Sequence, residues 1–315
     1  MKIALFFPGY GSQYVGMGKD IYDENRIVQE YFEEASNCLN VNFVKLCFAS
    51  SETELASMAN AYTSIFLVSS ALYALLKQAD ITPSLVAGYN VGEYGSLRAT
   101  NSITLPDGLY LLNKLALFYQ ELLTGIDVRM IHVRSVDAHV LATLCEHASR
   151  ADDRAVIACY NAPTEHIVSG SKTVIEYIQQ RIFDLDGGAT AQDMPLEFGL
   201  HSPLMEPVAR NLKIYLEKVD FKNVQIPWLS GIDGRIILHG EEIKQRVIAQ
   251  IVSPIHFQQV LQAVHEYDIL VALGPGSQLG RLIAAYYPEK QYVTINTMAD
   301  IESLKNMIRK TQVET

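Results

Sequence analysis

The short apolar run Ser84-Leu-Val-Ala87 passes directly into Gly88-Tyr89-Asn90-Val91-Gly92, and a helical pattern begins at once. Strand, glycine-framed turn and helix within so few residues predict a sharp elbow centred on residue 90, because G-x-S-x-G is the frame that holds a nucleophilic serine on a strained strand-to-helix turn. Here the frame is kept and the serine is not. The two glycines are needed because neighbouring backbones crowd the central residue, and the amide that follows, with the helix dipole behind it, faces any oxyanion formed there. Position 90 carries an asparagine, whose amide is not a nucleophile.

Around the elbow the chain reads as α/β. Lys2–Phe7 is a buried strand ending in the loop Pro8-Gly9-Tyr10-Gly11-Ser12, and Tyr62–Lys77 is a helix leading towards Pro83. The pattern changes between Val128 and Met194, where strand, helix, two strands, helix and strand follow one another. The order βαββαβ predicts a ferredoxin-like insert. The main body resumes with a helix over Leu204–Val219, strands at Pro227–Ser230 and Ile269–Leu273, and the turn Gly274-Pro275-Gly276 before a helix from Gln278. The expected architecture is an α/β-hydrolase-like large subdomain with a parallel sheet core, residues 1–126 and 197–315, and a ferredoxin-like small subdomain, residues 127–196. The tail after about Lys310 reads as frayed.

Composition narrows the function classes. With 25 Lys+Arg against 35 Asp+Glu the 315-residue chain carries a net charge of −10, which disfavours nucleic acid, whose backbone is bound by displacing counterions with cations. Cys38, Cys47, Cys145 and Cys159 show no CxxC spacing and read as small core residues. The run before Pro8 is too short for a signal peptide, and no stretch reads as a membrane span. The cytoplasm is the expected location, with no membrane partner, no metal site and no cofactor.

Six ordered landmarks carry a resemblance to a known family: Phe7-Pro-Gly-Tyr-Gly-Ser-Gln13, Ala87-Gly-Tyr-Asn-Val-Gly-Glu-Tyr94, Asn161-Ala-Pro163 with Val168-Ser-Gly170, His201-Ser-Pro-Leu-Met205, Ser253-Pro-Ile-His-Phe257 and Gly274-Pro-Gly276. Over nearly all of residues 1–295 the chain resembles the malonyl-CoA:acyl-carrier-protein transacylases of fatty-acid and polyketide synthesis. The resemblance implies a nucleophilic serine at the position of Asn90 and retains the activating histidine as His201. It places Tyr89 where a histidine usually precedes the serine. The malonate-binding arginine corresponds to Leu115, the glutamine of the first loop to Tyr10, and the glutamine that orients the histidine to His256. Asn161 matches a polar residue near the family's pocket, and the backbone amides of Tyr10 and Val91 are the expected oxyanion donors. Because these positions depart together, natural divergence explains them better than a single inactivating substitution.

The implied protein is a catalytically silent homologue that works by binding an acyl carrier protein or a synthase component, with an acyl-CoA or another acyl thioester as a substrate-like ligand at most. Arg210, Lys213, Lys218 and Lys222, or Lys244 and Arg246, are the candidate basic patches for an acidic carrier. The alternative is an acyl hydrolase in which His201 or His256 activates a water. A hidden nucleophile at Ser12 or Ser96, or a replacement cation from Lys114 or Arg98, completes the set of possibilities.

Overall fold

In the computed structural model, which describes residues 1–150, 153–185 and 187–314, ten strands form two sheets. They are β1 (Ile3–Phe7), β2 (Leu85–Gly88), β3 (Val128–Arg134), β4 (Ala155–Ala162), β5 (Glu165–Ser171), β6 (Thr190–Met194), β7 (Trp228–Leu229), β8 (Ile236–Ile237), β9 (Ile269–Leu273) and β10 (Gln291–Ile295). The larger sheet has the order β10-β9-β1-β2-β7-β8 and is parallel except at its β7–β8 edge. Every residue of β1, β2 and β9 is buried, as central parallel strands covered by helices on both faces require.

The second sheet has the order β4-β5-β3-β6 with every pairing antiparallel. Together with helices Ala138–Ala148 and Lys172–Phe183 it makes the ferredoxin-like unit. Its outer face has its own apolar core around Ile131, Val133, Leu141, Ile175 and Ile178, while Met130, Ala158, Cys159 and Ile167 join the core of the larger unit. The two units therefore pack through β-strand side chains, and the bridge between Cys159 and Ile255 ties them at the level of the backbone.

Three expectations need correction. The helix Met58–Gln78 is long and apolar enough to span a bilayer by length and composition, but 89% of its most apolar window is buried inside the protein. Its apolar length serves the core, against the helix Leu105–Leu123. Cys38 is exposed whereas the other three cysteines are buried, and all four are free thiols. The C-terminal segment is a helix, Met298–Glu314, rather than a fray after Lys310.

Candidate functional site

The elbow forms as the glycine frame predicts. Asn90 sits at φ 57, in the left-handed region, and is 1% exposed. A side chain at Gly92 would fall on the backbone carbonyl of Phe7, and one at Gly88 on the backbone of Glu93, so the strand end, the following helix and the first loop pass too closely for a methyl group at either place. This crowding holds residue 90 against both the loop after β1 and the segment Phe198–His201.

The asparagine side chain is saturated by that surrounding. Its Oδ1 accepts from the backbone N–H of Tyr10 at 3.3 Å, one of the two expected oxyanion donors. Its Nδ2 donates to the carbonyl of Phe198 at 2.7 Å and lies 2.7 Å from Nε2 of His201. Because a carbonyl can only accept, the Phe198 contact fixes the orientation of the amide. His201 Nδ1 lies 2.9 Å from the backbone carbonyl of Gln250 and must be the protonated nitrogen, which leaves Nε2 as the acceptor for the asparagine. Burial pushes His201 down to about 4, with the Gln250 carbonyl acting in the opposite direction. The ring is neutral near pH 7.

Gln250 had no motif to mark it. The histidine is oriented by a backbone carbonyl, and a carbonyl leaves no trace in residue identity. His256, which stands where the resemblance puts the orienting glutamine and is expected at the substrate site, stacks on Tyr160 with ring centroids 4.6 Å apart. It borders neither of the cavities at the elbow. Leu115, which the resemblance aligns with an arginine, lines the inner cavity together with Asn90 and His201. Neither candidate substitute reaches it. Lys114 lies over the rings of Tyr110 and Tyr215, and Arg98 donates to the hydroxyl of Tyr31. Ser12 donates to the carbonyl of Gly9, and Ser96 donates to that of Glu93 while accepting from Trp228 Nε1, so both hydroxyls are structural.

Two cavities meet at the elbow. The inner one, walled by Tyr62, Tyr94, Leu115, Tyr119, Phe198 and Ile251 around Asn90 and His201, measures about 10 Å³, the lower limit of what a single water needs. The outer one is a cleft of about 540 Å³ between the loop after β1, the helix Gln278–Tyr286 and the small sheet. Phe198 lines both, and its ring packs edge-on to His201 and obliquely on Tyr89, each with centroids 5.8 Å apart. Tyr89 donates from its hydroxyl to Asn161 Oδ1 at 2.9 Å, and Tyr10 donates to the carbonyl of Ala56 at 3.0 Å. Tyr10, Tyr89 and Asn161 thus form part of the cleft wall. Val91 begins the elbow helix as its N-cap. Among the described residues no cluster of side chains is suited to hold a metal.

Behind the elbow, Glu93 is 1% exposed, accepts from the N–H of Gly231 at 2.8 Å and leaves its second oxygen unpaired. Burial pushes its carboxyl up to about 8; the Gly231 N–H and the charge of Arg246 oppose this, while Asp233 adds to it. Unfolding releases that proton at pH values from its ordinary 4.5 upwards, so Glu93 removes stability as pH rises from 4.5 to about 8. His201 has the opposite slope: its unfolded form takes up a proton below 6.5 and its folded form only near 4, so stability falls as pH falls through that window. The two slopes offset each other between 4.5 and 6.5, where His166 and His256, also lowered by burial, act in the same direction as His201, and Glu93 dominates as pH rises further. Melting temperature should therefore drop from pH 6.5 to 8, by a loss of about 2 kcal/mol for one proton. In Glu93→Gln that decline should vanish, and an unchanged slope would show that another group causes it.

A parallel sheet whose second strand ends in a glycine-framed elbow, facing a neutral histidine and a loop amide, is a scaffold for acyl transfer through an oxyanion. The chain matches the family described as "Acyl transferase domain" over residues 5–313, and it belongs to that family. It is 27% identical over 303 residues to the malonyl CoA-acyl carrier protein transacylase of Bacillus subtilis (strain 168), covering 96% of this chain and 95% of that protein. The corresponding protein of Staphylococcus aureus (strain COL) is 26% identical over 304 residues, covering 96% and 97%. Among solved structures, the acyl-carrier-protein S-malonyltransferase of Burkholderia pseudomallei superposes with a TM-score of 0.90 at 27% identity, covering 96% of this chain and 99% of that one. A malonyl-transacylase solved in complex with its type II PKS acyl-carrier protein gives 0.91 at 23%, covering 96% and 98%, a likeness of fold.

Proposed function

We propose that this chain is a pseudo-acyltransferase of the malonyl transacylase family, which binds an acyl carrier protein or a synthase component in the cytoplasm and does not turn over a thioester. The observation that carries this is the set of bonds made by the Asn90 amide. One of the two N–H groups that would stabilise an oxyanion, that of Tyr10, the nitrogen that would accept a nucleophile's proton and the carbonyl of Phe198 are all engaged by one non-nucleophilic side chain. Losing the nucleophile alone costs on the order of a million-fold in turnover. The absence of a cation at Leu115 also leaves a malonyl carboxylate with no partner for its desolvation.

The carrier comes from the relatives, which are named for it, and from the solved complex of a transacylase with its carrier. The division into residues 1–126 with 197–315 and 127–196 belongs to the same proposal, with the cleft between the two parts receiving the partner's prosthetic arm. The water-activating alternative finds no support, since His201 Nε2 is engaged by Asn90 and the space beside it is at the limit for one water.

Of the basic patches, Lys244 and Arg246 face Glu217, Asp233 and Glu242 within 4 Å. Arg210, Lys213 and Lys222 are exposed and make no ion pair among the described residues, which leaves them to draw an acidic carrier. Binding of a holo-carrier, followed by calorimetry, should weaken about tenfold in an Arg210→Glu, Lys213→Glu double variant and weaken further with salt. Equal affinity in the variant removes the patch from the proposal. Intact-mass measurement after incubation with acyl-CoAs should give no adduct on the wild-type chain; an adduct would refute the silent assignment.

A further inference from the structure

Resting on the binding proposal, we infer that the cleft selects the unacylated thiol form of a phosphopantetheine arm, whether on CoA or on a carrier, and discriminates against its acyl thioesters. The order of preference is set by the contrast between two adjoining volumes. The outer cleft, about 540 Å³, has room for a chain of that size, and the inner cavity, about 10 Å³, has none for the acyl group that would follow it.

The outer cleft has the chemistry for such an arm. Arg134 and Arg281 lie on its wall, both exposed and in no ion pair among the described residues, and they suit a phosphate. Glu165, the carboxylate on the same wall, is bonded by His132 at 2.8 Å and also lies in the field of Arg134, which leaves Arg281 as the cation of the pair with no carboxylate beside it among the described residues. Ile167, Met194 and Leu282 supply apolar surface for the methylenes. Asn161 has its oxygen occupied by Tyr89 and supplies Nδ2 to an amide carbonyl of the arm.

Phe198 is the partition. It lines both volumes, and its carbonyl is held by Asn90 Nδ2, so the residue at the nucleophile position also fastens the wall that closes the acyl space. Even an acetyl group needs room for three further heavy atoms, and a volume at the limit for one water supplies it only if the buried bond from Asn90 to Phe198 breaks. A free thiol ends on the outer side and disturbs nothing. Transacylases must admit the acylated donor; this chain keeps the approach and closes the end.

Calorimetric titration with CoA, acetyl-CoA and malonyl-CoA tests the selectivity, and apo- and holo-carrier separate the two sources of the arm. CoA should bind at least about tenfold more tightly than acetyl-CoA or malonyl-CoA, and Arg134→Ala and Arg281→Ala should each weaken CoA without altering the melting temperature. Asn90→Ser, which removes the bond to Phe198, should narrow the preference for CoA over acetyl-CoA. Acetyl-CoA binding as tightly as CoA to the wild-type chain, or no CoA binding at all, overturns the inference. Holo-carrier and apo-carrier binding equally well would remove the cleft from carrier recognition and leave docking standing. A preference for CoA with no binding of either carrier would uphold the cleft's selectivity and refute carrier docking.

Discussion

Asn90→Ser should acquire one acetyl group from acetyl-CoA where the wild-type chain acquires none. The left-handed backbone at residue 90 and the histidine are already in place, with Nε2 2.7 Å from the present amide nitrogen. Serine Oγ stands one bond nearer the backbone than that nitrogen and within reach of a neutral base whose tautomer the Gln250 carbonyl has set. The same exchange frees the Tyr10 N–H to stabilise an oxyanion and releases the carbonyl of Phe198. Recovery of a nucleophile is worth up to about a million-fold, and the unaltered tyrosine walls will return only part of it. Malonyl-CoA should acylate this variant poorly, because Leu115 offers its carboxylate no cation. If the variant gains no acyl group and its melting temperature is unchanged, then the His201 geometry does not activate an oxygen, and the elbow has lost more than its nucleophile.

Gly92→Ala should fail to fold or melt far below the wild-type chain. The added methyl group would be driven into the carbonyl of Phe7, at the join of the two central strands, where both partners are backbone and neither has a rotamer to yield. Such overpacking against backbone belongs with the largest single-residue effects, about 4 kcal/mol or more, or on the order of 10 °C in a chain of this size. A thermal melt of the variant within a few degrees of the wild type would mean that the elbow is looser than its glycines imply. Gly125, which is not in the left-handed region and whose added methyl group would meet only the Leu122 carbonyl at an ordinary 3.6 Å, is the control for the loss of glycine as such.

Much of the fold was legible in residue order because its determinants are local. A continuous apolar run such as Ile3–Phe7 reads as a buried strand, and βαββαβ between Val128 and Met194 has few ways to close. The helices Arg26–Leu39 and Gly240–Val252 and the strand Gln291–Ile295 lacked comparable punctuation, although the first has its apolar residues on one face. Length and apolar content could not tell the core helix Met58–Gln78 from a membrane span, since the two differ only in what surrounds them.

The site divides along the same line. Order along the chain determined that an elbow stands at residue 90 and that its occupant, an asparagine, is not a nucleophile, because both are properties of residue identity at a marked position; the roles of His201 and Leu115 come from the family resemblance and stay part of the proposal. Tertiary structure alone decided that the Gln250 carbonyl, and not His256, orients the histidine. It also decided that the Asn90 amide engages three groups from distant segments, and that Phe198 and the tyrosines leave about 10 Å³ where an acyl group would lie. The physical reason is that hydrogen bonds to backbone and the volume between side chains depend on where segments 49 to 111 residues apart come to rest. No spacing of residue types encodes that separation until the chain is folded.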